Sequence, residues 1–202
     1  MKTRILTVLM LLATVAMCAS ADNFTEGGIN YRTLSDNTVA VAKSTYSGAL
    51  VIPATVSNNG VTYSVTEIGD SAFINCSGIT ELTLPEGLLY IGRRAFMGIG
   101  ISELTLPESL ETLLYYAFRE CPNLTTVYYN PVNCETDNTG NPPFYKTTLT
   151  SVVISDKVQS LPKQLCGGQT ALTEVTIPRS VTSIASNAFN NCTGVTKLNY
   201  NA

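Results

Sequence analysis

Pairs of apolar residues separated by one residue recur along the last two thirds of the chain. Alternate residues of a β-strand point to opposite faces, so each pair predicts a short strand with one buried face. One such strand cannot bury its apolar face alone, so the pattern predicts copies stacked into a solenoid with a continuous core. The pairs are Leu82/Leu84, Leu104/Leu106, Val127/Tyr129, Val152/Ile154, Val175/Ile177 and Leu198/Tyr200.

A second signal precedes each pair. An Ala-Phe dipeptide recurs at spacings of 23, 22, 26, 21 and 24 residues when altered copies are included. In three of the copies a cysteine lies three residues after the phenylalanine, and a proline ends several of the predicted strands. Phenylalanine is too large to be solvated in every copy, so we expect an aromatic spine inside the solenoid. The copies are Ala72-Phe73, Ala95-Phe96, Ala117-Phe118, Pro143-Phe144, Gln164-Leu165 and Ala188-Phe189.

The pattern resembles the BspA-type leucine-rich repeat, I-x-x-x-A-F-x-x-C-x-x-L-x-x-L-x-L-P, a variant found in bacterial surface proteins. The resemblance extends from about Val65 to Tyr200. It implies a leucine-rich repeat solenoid of about six copies over residues 65–202, made mostly of short β-strands and turns with one stacked parallel sheet. It also implies surface exposure and, in some members, adhesion or binding of host components.

Residues 22–64 lack the repeat but contain short alternating apolar runs. They predict an N-terminal β cap, which would cover the core face and the strand edge of the first repeat. Within this segment Asn58-Asn59-Gly60 predicts a hairpin turn, because asparagine and glycine tolerate positive φ. Further along, residues 131–147 contain three prolines and an Asn-Thr-Gly-Asn cluster, which predict an irregular loop.

The first 21 residues have the features of a secretory signal peptide. Lys2 and Arg4 precede an apolar run, and Ala19-Ser20-Ala21 predicts cleavage after Ala21. Lipoprotein anchoring at Cys18 is the alternative, although Met17 is larger than the residue that usually precedes such a cysteine. No other stretch reaches the roughly 18 apolar residues that span a bilayer. The sequence therefore predicts a secreted or cell-surface protein without a transmembrane span.

Composition excludes several kinds of chemistry. The chain carries a net charge of −3 with 13% charged residues, and no run of lysine and arginine predicts a basic patch, so nucleic acid is not an expected partner. Histidine is absent, which removes Ser-His-Asp and Cys-His catalysis and histidine-bound metals. We therefore expect no enzymatic activity, no cofactor and no metal.

Five cysteines follow the predicted cleavage site. Cys76, Cys121 and Cys192 share one position of the repeat, two or three coils apart, which is too far for a disulfide. They are expected to be small buried side chains whose thiols donate weak hydrogen bonds. Cys134 and Cys166 lie off this position and remain candidates for a disulfide.

The outward positions of the predicted strands form a flat polar surface, which suits an extracellular protein or glycan better than a small molecule. This surface predicts an adhesion-type binding module, with Tyr128 as its aromatic anchor. The predicted loop 131–147 is a second candidate contact region. The candidate binding residues are Glu81, Thr83, Glu103, Thr105, Thr126, Tyr128, Glu174 and Thr176.

Two alternatives stay open. Glu81 and Glu103 share an outward position on adjacent copies, and carboxylates about 5 Å apart would suit a retaining polysaccharide-active enzyme. Solvated surface residues are the simpler interpretation of these glutamates. The other alternative is structural assembly, because the last predicted strand leaves an open C-terminal edge that a second copy could close as a homodimer.

Overall fold

The computed structural model describes residues 22–137 and 139–200. These residues form sixteen β-strands and no helix. The predicted signal peptide, its cleavage site and Cys18 lie outside the described residues. The strands are β1 (Asn23–Glu26), β2 (Ile29–Thr33), β3 (Thr38–Val41), β4 (Gly48–Val51), β5 (Thr55–Asn58), β6 (Val61–Ile68), β7 (Ile79–Thr83), β8 (Tyr90–Ile91), β9 (Glu103–Leu106), β10 (Thr112–Leu113), β11 (Thr126–Tyr129), β12 (Ser151–Ile154), β13 (Ser160–Leu161), β14 (Glu174–Ile177), β15 (Ser183–Ile184) and β16 (Lys197–Tyr200).

The strands stack into a solenoid with two β faces. The sheet face consists of β4, β7, β9, β11, β12, β14 and β16, and the short-strand face consists of β3, β6, β8, β10, β13 and β15. The predicted solenoid is confirmed, but the expectation of one stacked parallel sheet is wrong. The second face was missed because most of its strands have only two residues, too few to show an alternating pattern.

The turn that joins the two faces in each coil contains the phenylalanine position of the repeat, and we refer to it as the Phe turn. Backbone hydrogen bonds link successive Phe turns, with the amide of Phe73 donating to Ala95 at 2.7 Å and that of Phe96 donating to Ala117 at 2.8 Å. The same bond recurs at 2.7 Å from Cys166 to Ala188, so Cys166 and not Leu165 occupies the phenylalanine position. Leu165, which is fully buried, takes the preceding alanine position.

The side chains at this position form the predicted aromatic spine, which is confirmed. The rings of Phe73, Phe96, Phe118 and Phe144 are stacked with centroids 5.5, 5.1 and 5.6 Å apart. All four side chains are at most 1% exposed. Each stacked pair contributes about 0.5–1.5 kcal/mol beyond the area that it buries. In the described residues the position is occupied, coil by coil, by Ser44, Phe73, Phe96, Phe118, Phe144, Cys166 and Phe189.

The first coil of the solenoid lies inside the predicted N-terminal segment. Strands β3 and β4 pair in parallel with β6 and β7, and the Ser44 amide donates to Ala72 at 2.8 Å, as the phenylalanine amides do in later coils. Upstream, β1, β2 and β3 pair in antiparallel fashion. The predicted hairpin turn is confirmed, because β5 and β6 are antiparallel and Asn59 and Gly60 have φ of 51° and 80°. The capping role of residues 22–64 stays a prediction.

The predicted loop 131–147 keeps several regular positions of the fifth coil. Asn133 forms a parallel bridge with Ser160, and Cys134 is buried where other coils place an aliphatic residue. Phe144 joins the spine, and the carbonyls of Pro142 and Pro143 accept hydrogen bonds from the fourth coil. Proline can occupy these two positions because it keeps the carbonyl that is needed there as an acceptor. Of the aromatic residues near this loop, Tyr129 and Phe144 are buried and Tyr145 is exposed.

The five cysteines in the described part of the chain are free, so the structure does not pair Cys134 with Cys166. The thiols of the cysteines at the repeat position donate hydrogen bonds to the preceding coil. The acceptor is the backbone carbonyl of the residue at the phenylalanine position of that coil. The distance is 3.3 Å from Cys121 to Phe96 and 2.9 Å from Cys192 to Cys166. In the sixth coil the buried Gln169 replaces the cysteine, and its Nε2 donates to Phe144 at 2.7 Å.

Removing one ring of the spine is expected to destabilise the whole solenoid. Phe96→Ala should lower the free energy of unfolding by about 3–5 kcal/mol, because it leaves a cavity between two stacked neighbours. Chemical denaturation followed by circular dichroism measures this loss. Val51→Ala, at a side chain that is 60% exposed, is the control and should change stability by less than about 0.5 kcal/mol. Equal effects of the two substitutions would contradict a structural role for the spine.

Thiol reactivity is expected to follow burial. Burial raises the pKa of Cys121 to about 11 and that of Cys134 to about 12, and it also raises the pKa of Cys166. The thiolate is the reactive form, so at pH 8 iodoacetamide should label the partly exposed Cys192 well before these three. Peptide mass spectrometry measures the labelling, and guanidinium should remove the difference. Labelling of native Cys121 as fast as Cys192 would be the opposite result.

Candidate binding surfaces

The candidate residues on the sheet face lie on the outside of the solenoid, as their alternation with buried neighbours requires. Seven of the eight are exposed, and Thr126 is half-buried. Strand register aligns Thr105, Tyr128 and Val153 across β9, β11 and β12. Tyr128 is 37% exposed and Val153 is 46% exposed, so this row presents adjacent apolar surface in the middle of a polar face.

The sheet face is divided into three hydrogen-bonded parts, namely β4–β7, β9–β11–β12 and β14–β16. A shallow groove of about 300 Å³ between β7 and β9 is lined by Glu81, Thr83, Glu103 and Thr105. A second groove of about 340 Å³ between β12 and β14 is lined by Ser151, Val153, Glu174 and Thr176. The Tyr128 row therefore crosses the three-stranded part, and its two ends, Thr105 and Val153, line the two grooves.

The predicted carboxylate pair is not held together by the sheet. Glu81 is aligned with Ala49 and Glu103 with Thr126, while β7 and β9 do not pair. Glu174 accepts hydrogen bonds from Lys197, at 2.8 Å, and from Asn199. Both bonds lower the pKa of Glu174, and the bond from Lys197 has the larger effect. A general acid needs a raised pKa instead. No group of three or more Cys, Asp or Glu residues that could hold a metal occurs in 22–137 and 139–200.

A second surface, which the sequence analysis missed, lies on the outside of the Phe turns. We name it the Tyr-Arg cluster and define it as Arg93, Arg94, Tyr115, Tyr116, Arg119, Tyr145 and Lys146. The ring centroid of Tyr116 lies 5.4 Å from that of Tyr115 and 5.3 Å from that of Tyr145. The Arg119 guanidinium lies 4.9 Å from the Tyr116 centroid and 5.6 Å from the Tyr145 centroid.

Two carboxylates form ion pairs with the cluster. Glu120 accepts from Arg119 at 2.8 Å and from Lys146 at 3.4 Å, and Asp70 lies 3.7 Å from Arg93. The hydrogen bond from Arg119, with a smaller contribution from Lys146, lowers the pKa of Glu120. The cluster and its ion-pair partners thus combine four cations with two carboxylates. Its four cations come from three coils and are dispersed in sequence, but aligning the positions that flank the phenylalanine would have brought them together.

The last described coil exposes side chains in positions that are buried elsewhere. Leu198 is aligned with Val175 and Tyr200 with Ile177. The two residues of β14 are each 1% exposed, whereas Leu198 is 66% and Tyr200 is 60% exposed. Ile184 on β15 is 47% exposed. These residues form an apolar surface on the last described coil.

The repeat positions and the solenoid identify the family. The family model for the BspA type leucine rich repeat region matches residues 54–166 and 137–202, in six copies. The chain therefore belongs to the BspA-type leucine-rich repeat family, as the resemblance predicted. A comparison with the curated proteins found no match.

Solved structures with the same kind of fold come from several bacteria. The Treponema pallidum leucine-rich repeat protein is 21% identical, with a TM-score of 0.55, over 88% of this chain and 71% of that chain. A leucine rich cell surface protein from Faecalibacterium prausnitzii A2-165 is 20% identical, with a TM-score of 0.47 over 91% of this chain. The present chain covers 55% of that protein. At these identities the likeness shows the fold alone.

A third solved structure, a leucine-rich repeat protein from Bacteroides capillosus ATCC 29799, is 21% identical with a TM-score of 0.40, over 89% of this chain and 99% of that chain. The described residues, 22–137 and 139–200, contain no helix with the length and apolar character needed to cross a bilayer.

Proposed function

We propose that this chain is a non-catalytic binding module of a secreted or cell-surface protein, and that its sheet face contacts an extracellular protein or glycan. The observation that carries the proposal is the row of Thr105, Tyr128 and Val153. In this row Tyr128 is 37% exposed and Val153 is 46% exposed, and a shallow groove adjoins each end of the row. A buried aromatic anchor inside a polar rim is the usual arrangement of a binding hot spot.

The shape of this surface favours a large or extended partner. The two grooves are shallow, at about 300 and 340 Å³, and are lined by threonine, serine and glutamate as well as by apolar residues. A small-molecule site is commonly deeper and mostly apolar. Threonine hydroxyls on a regular strand spacing can donate to and accept from sugar hydroxyls or peptide groups.

The proposed location rests on the N-terminal sequence and on relatives. Residues 1–21 have the charged, apolar and small-residue regions of a secretory signal peptide. The BspA-type repeat occurs in bacterial surface proteins, and the F. prausnitzii relative is named a cell surface protein. The proposed absence of catalysis is supported by the lack of histidine and by the lowered pKa of Glu174.

Substitution of Tyr128 tests the proposal. The purified chain is applied to an array of extracellular-matrix proteins and neutral glycans, and Tyr128→Ala should weaken binding to the ligand identified by at least tenfold. Loss of the aromatic anchor is the physical reason. Leu89→Ala is a matched control, because Leu89 is 38% exposed but lies off the sheet face. The dissociation constant is measured by biolayer interferometry. Equal affinity of the wild type and Tyr128→Ala would overturn the sheet-face proposal.

A second candidate function is assembly, in which a second copy covers the apolar surface on the last described coil. Leu198 and Tyr200 occupy positions that are 1% exposed one coil earlier, so burial of both would recover hydrophobic free energy. Within residues 22–137 and 139–200, β16 pairs with β14 alone, and its other edge could pair with a strand of a second copy. Two copies that meet through the same surface would form a symmetric dimer.

Sedimentation velocity at 1–100 µM (about the range for a weak dimer) tests the assembly proposal. The wild-type chain should shift toward a dimer as concentration rises, and Leu198→Asp should remain monomeric because a charge cannot be buried in an apolar interface. Val153→Asp is the matched control at an exposed sheet-face position and should still dimerise. A wild-type chain that is monomeric throughout would rule out this interface.

A further inference from the structure

We infer that the Tyr-Arg cluster is a binding site for a linear anionic polysaccharide that carries carboxylate or sulfate groups. The site is separate from the sheet face of the proposed function, because it lies on the outside of the Phe turns. It therefore holds or fails independently of any role for Tyr128.

The charges of the cluster are only partly neutralised within the protein. Glu120 binds both Arg119 and Lys146, and the pair between Arg93 and Asp70 is long at 3.7 Å with both side chains about half exposed. Arg94 has no carboxylate partner in the described part of the chain and is exposed. The cluster thus presents excess positive charge on a chain whose net charge is −3. This local charge can attract a polyanion.

The aromatic part of the cluster is held in place before any ligand arrives. Arg119 lies over the rings of both Tyr116 and Tyr145, and the Tyr116 hydroxyl donates to Asn141 Oδ1 at 2.8 Å. The backbone is fixed too, because Glu120 has a φ of 55° and its amide donates to Tyr145 at 3.0 Å. A site whose side chains are already ordered loses little conformational entropy on binding.

The size of the cluster favours a narrow polyanion over a folded protein. It spans three coils at about 4.8 Å each, or roughly 10 Å, whereas a stable protein interface buries about 800 Å² on each partner. A polysaccharide chain can lie along the stacked turns with its acidic groups toward Arg93 and Arg94. Guanidinium groups bind carboxylate or sulfate oxygens through two hydrogen bonds, and tyrosine offers an apolar ring face with a polar hydroxyl.

Binding to defined polysaccharides tests the inference. The purified chain is titrated against heparin, which is sulfated, polygalacturonate, which is carboxylated, and neutral dextran. Heparin, polygalacturonate or both should bind, and dextran should not. Raising the salt concentration should weaken the binding, because salt screens ionic contacts. The double variant Arg93→Gln/Arg94→Gln and the variant Tyr115→Ala should each lose at least tenfold in affinity, with native circular dichroism spectra.

The control variant, Lys163→Gln/Arg179→Gln, removes two cations outside the cluster and should bind as the wild type does. Tyr128→Ala should also leave this binding unchanged. The inference is overturned if neither acidic polysaccharide binds, if the control loses as much affinity as the double arginine variant, or if Tyr128→Ala abolishes binding. It is also overturned if poly-glutamate or oligothymidylate binds more tightly than both polysaccharides, since the partner would then be an acidic protein or a nucleic acid.

Discussion

The solenoid depends on the hydrogen bonds that join one Phe turn to the next. An amide at the phenylalanine position donates to the following coil, for example from Phe96 to Ala117 at 2.8 Å. Residues two before and two after that position have positive φ in nearly every coil, as Arg94 and Glu120 show. This backbone sets the coil spacing, and at a spacing near 5 Å the phenylalanine rings can stack. The repeat thus buries a side chain at this position and, in most coils, at the one before it, while residues further from the phenylalanine, such as Arg94 and Glu120, reach the surface.

These surface positions explain why the Tyr-Arg cluster could form. The residue directly before the phenylalanine is buried, but several other residues of the turn lie at the surface, and stacking of the coils brings them next to one another. Arg93, Tyr115 and Tyr145 come from successive coils and contribute to one such surface. The arrangement needs no dedicated loop, because the solenoid itself brings residues more than 20 positions apart into contact.

The sequence predicted the features that recur at a regular spacing along the chain. The alternating pairs located the strands of the sheet face, and the Ala-Phe dipeptides located the spine. Alignment failed at Leu165, because leucine is the largest apolar side chain in that stretch and was aligned with phenylalanine, whereas the backbone hydrogen bond places Cys166 at that position. The first coil was missed because Ser44 replaces the phenylalanine. The two-residue strands and the Tyr-Arg cluster were missed because both depend on contacts between coils rather than on local pattern.

The breaks in the sheet face are possible because the Phe turns hold the coils together on another side. Between the second and third coils, β7 and β9 do not pair, yet Phe73 still donates to Ala95 at 2.7 Å. Between the fifth and sixth coils, β12 and β14 also fail to pair, and there the buried Gln169 donates to Phe144 at 2.7 Å and accepts from Thr147 at 3.1 Å. A cysteine, the usual residue at that position, could not make both bonds. The glutamine thus links the fifth and sixth coils through the core at the point where their sheet-face strands do not pair.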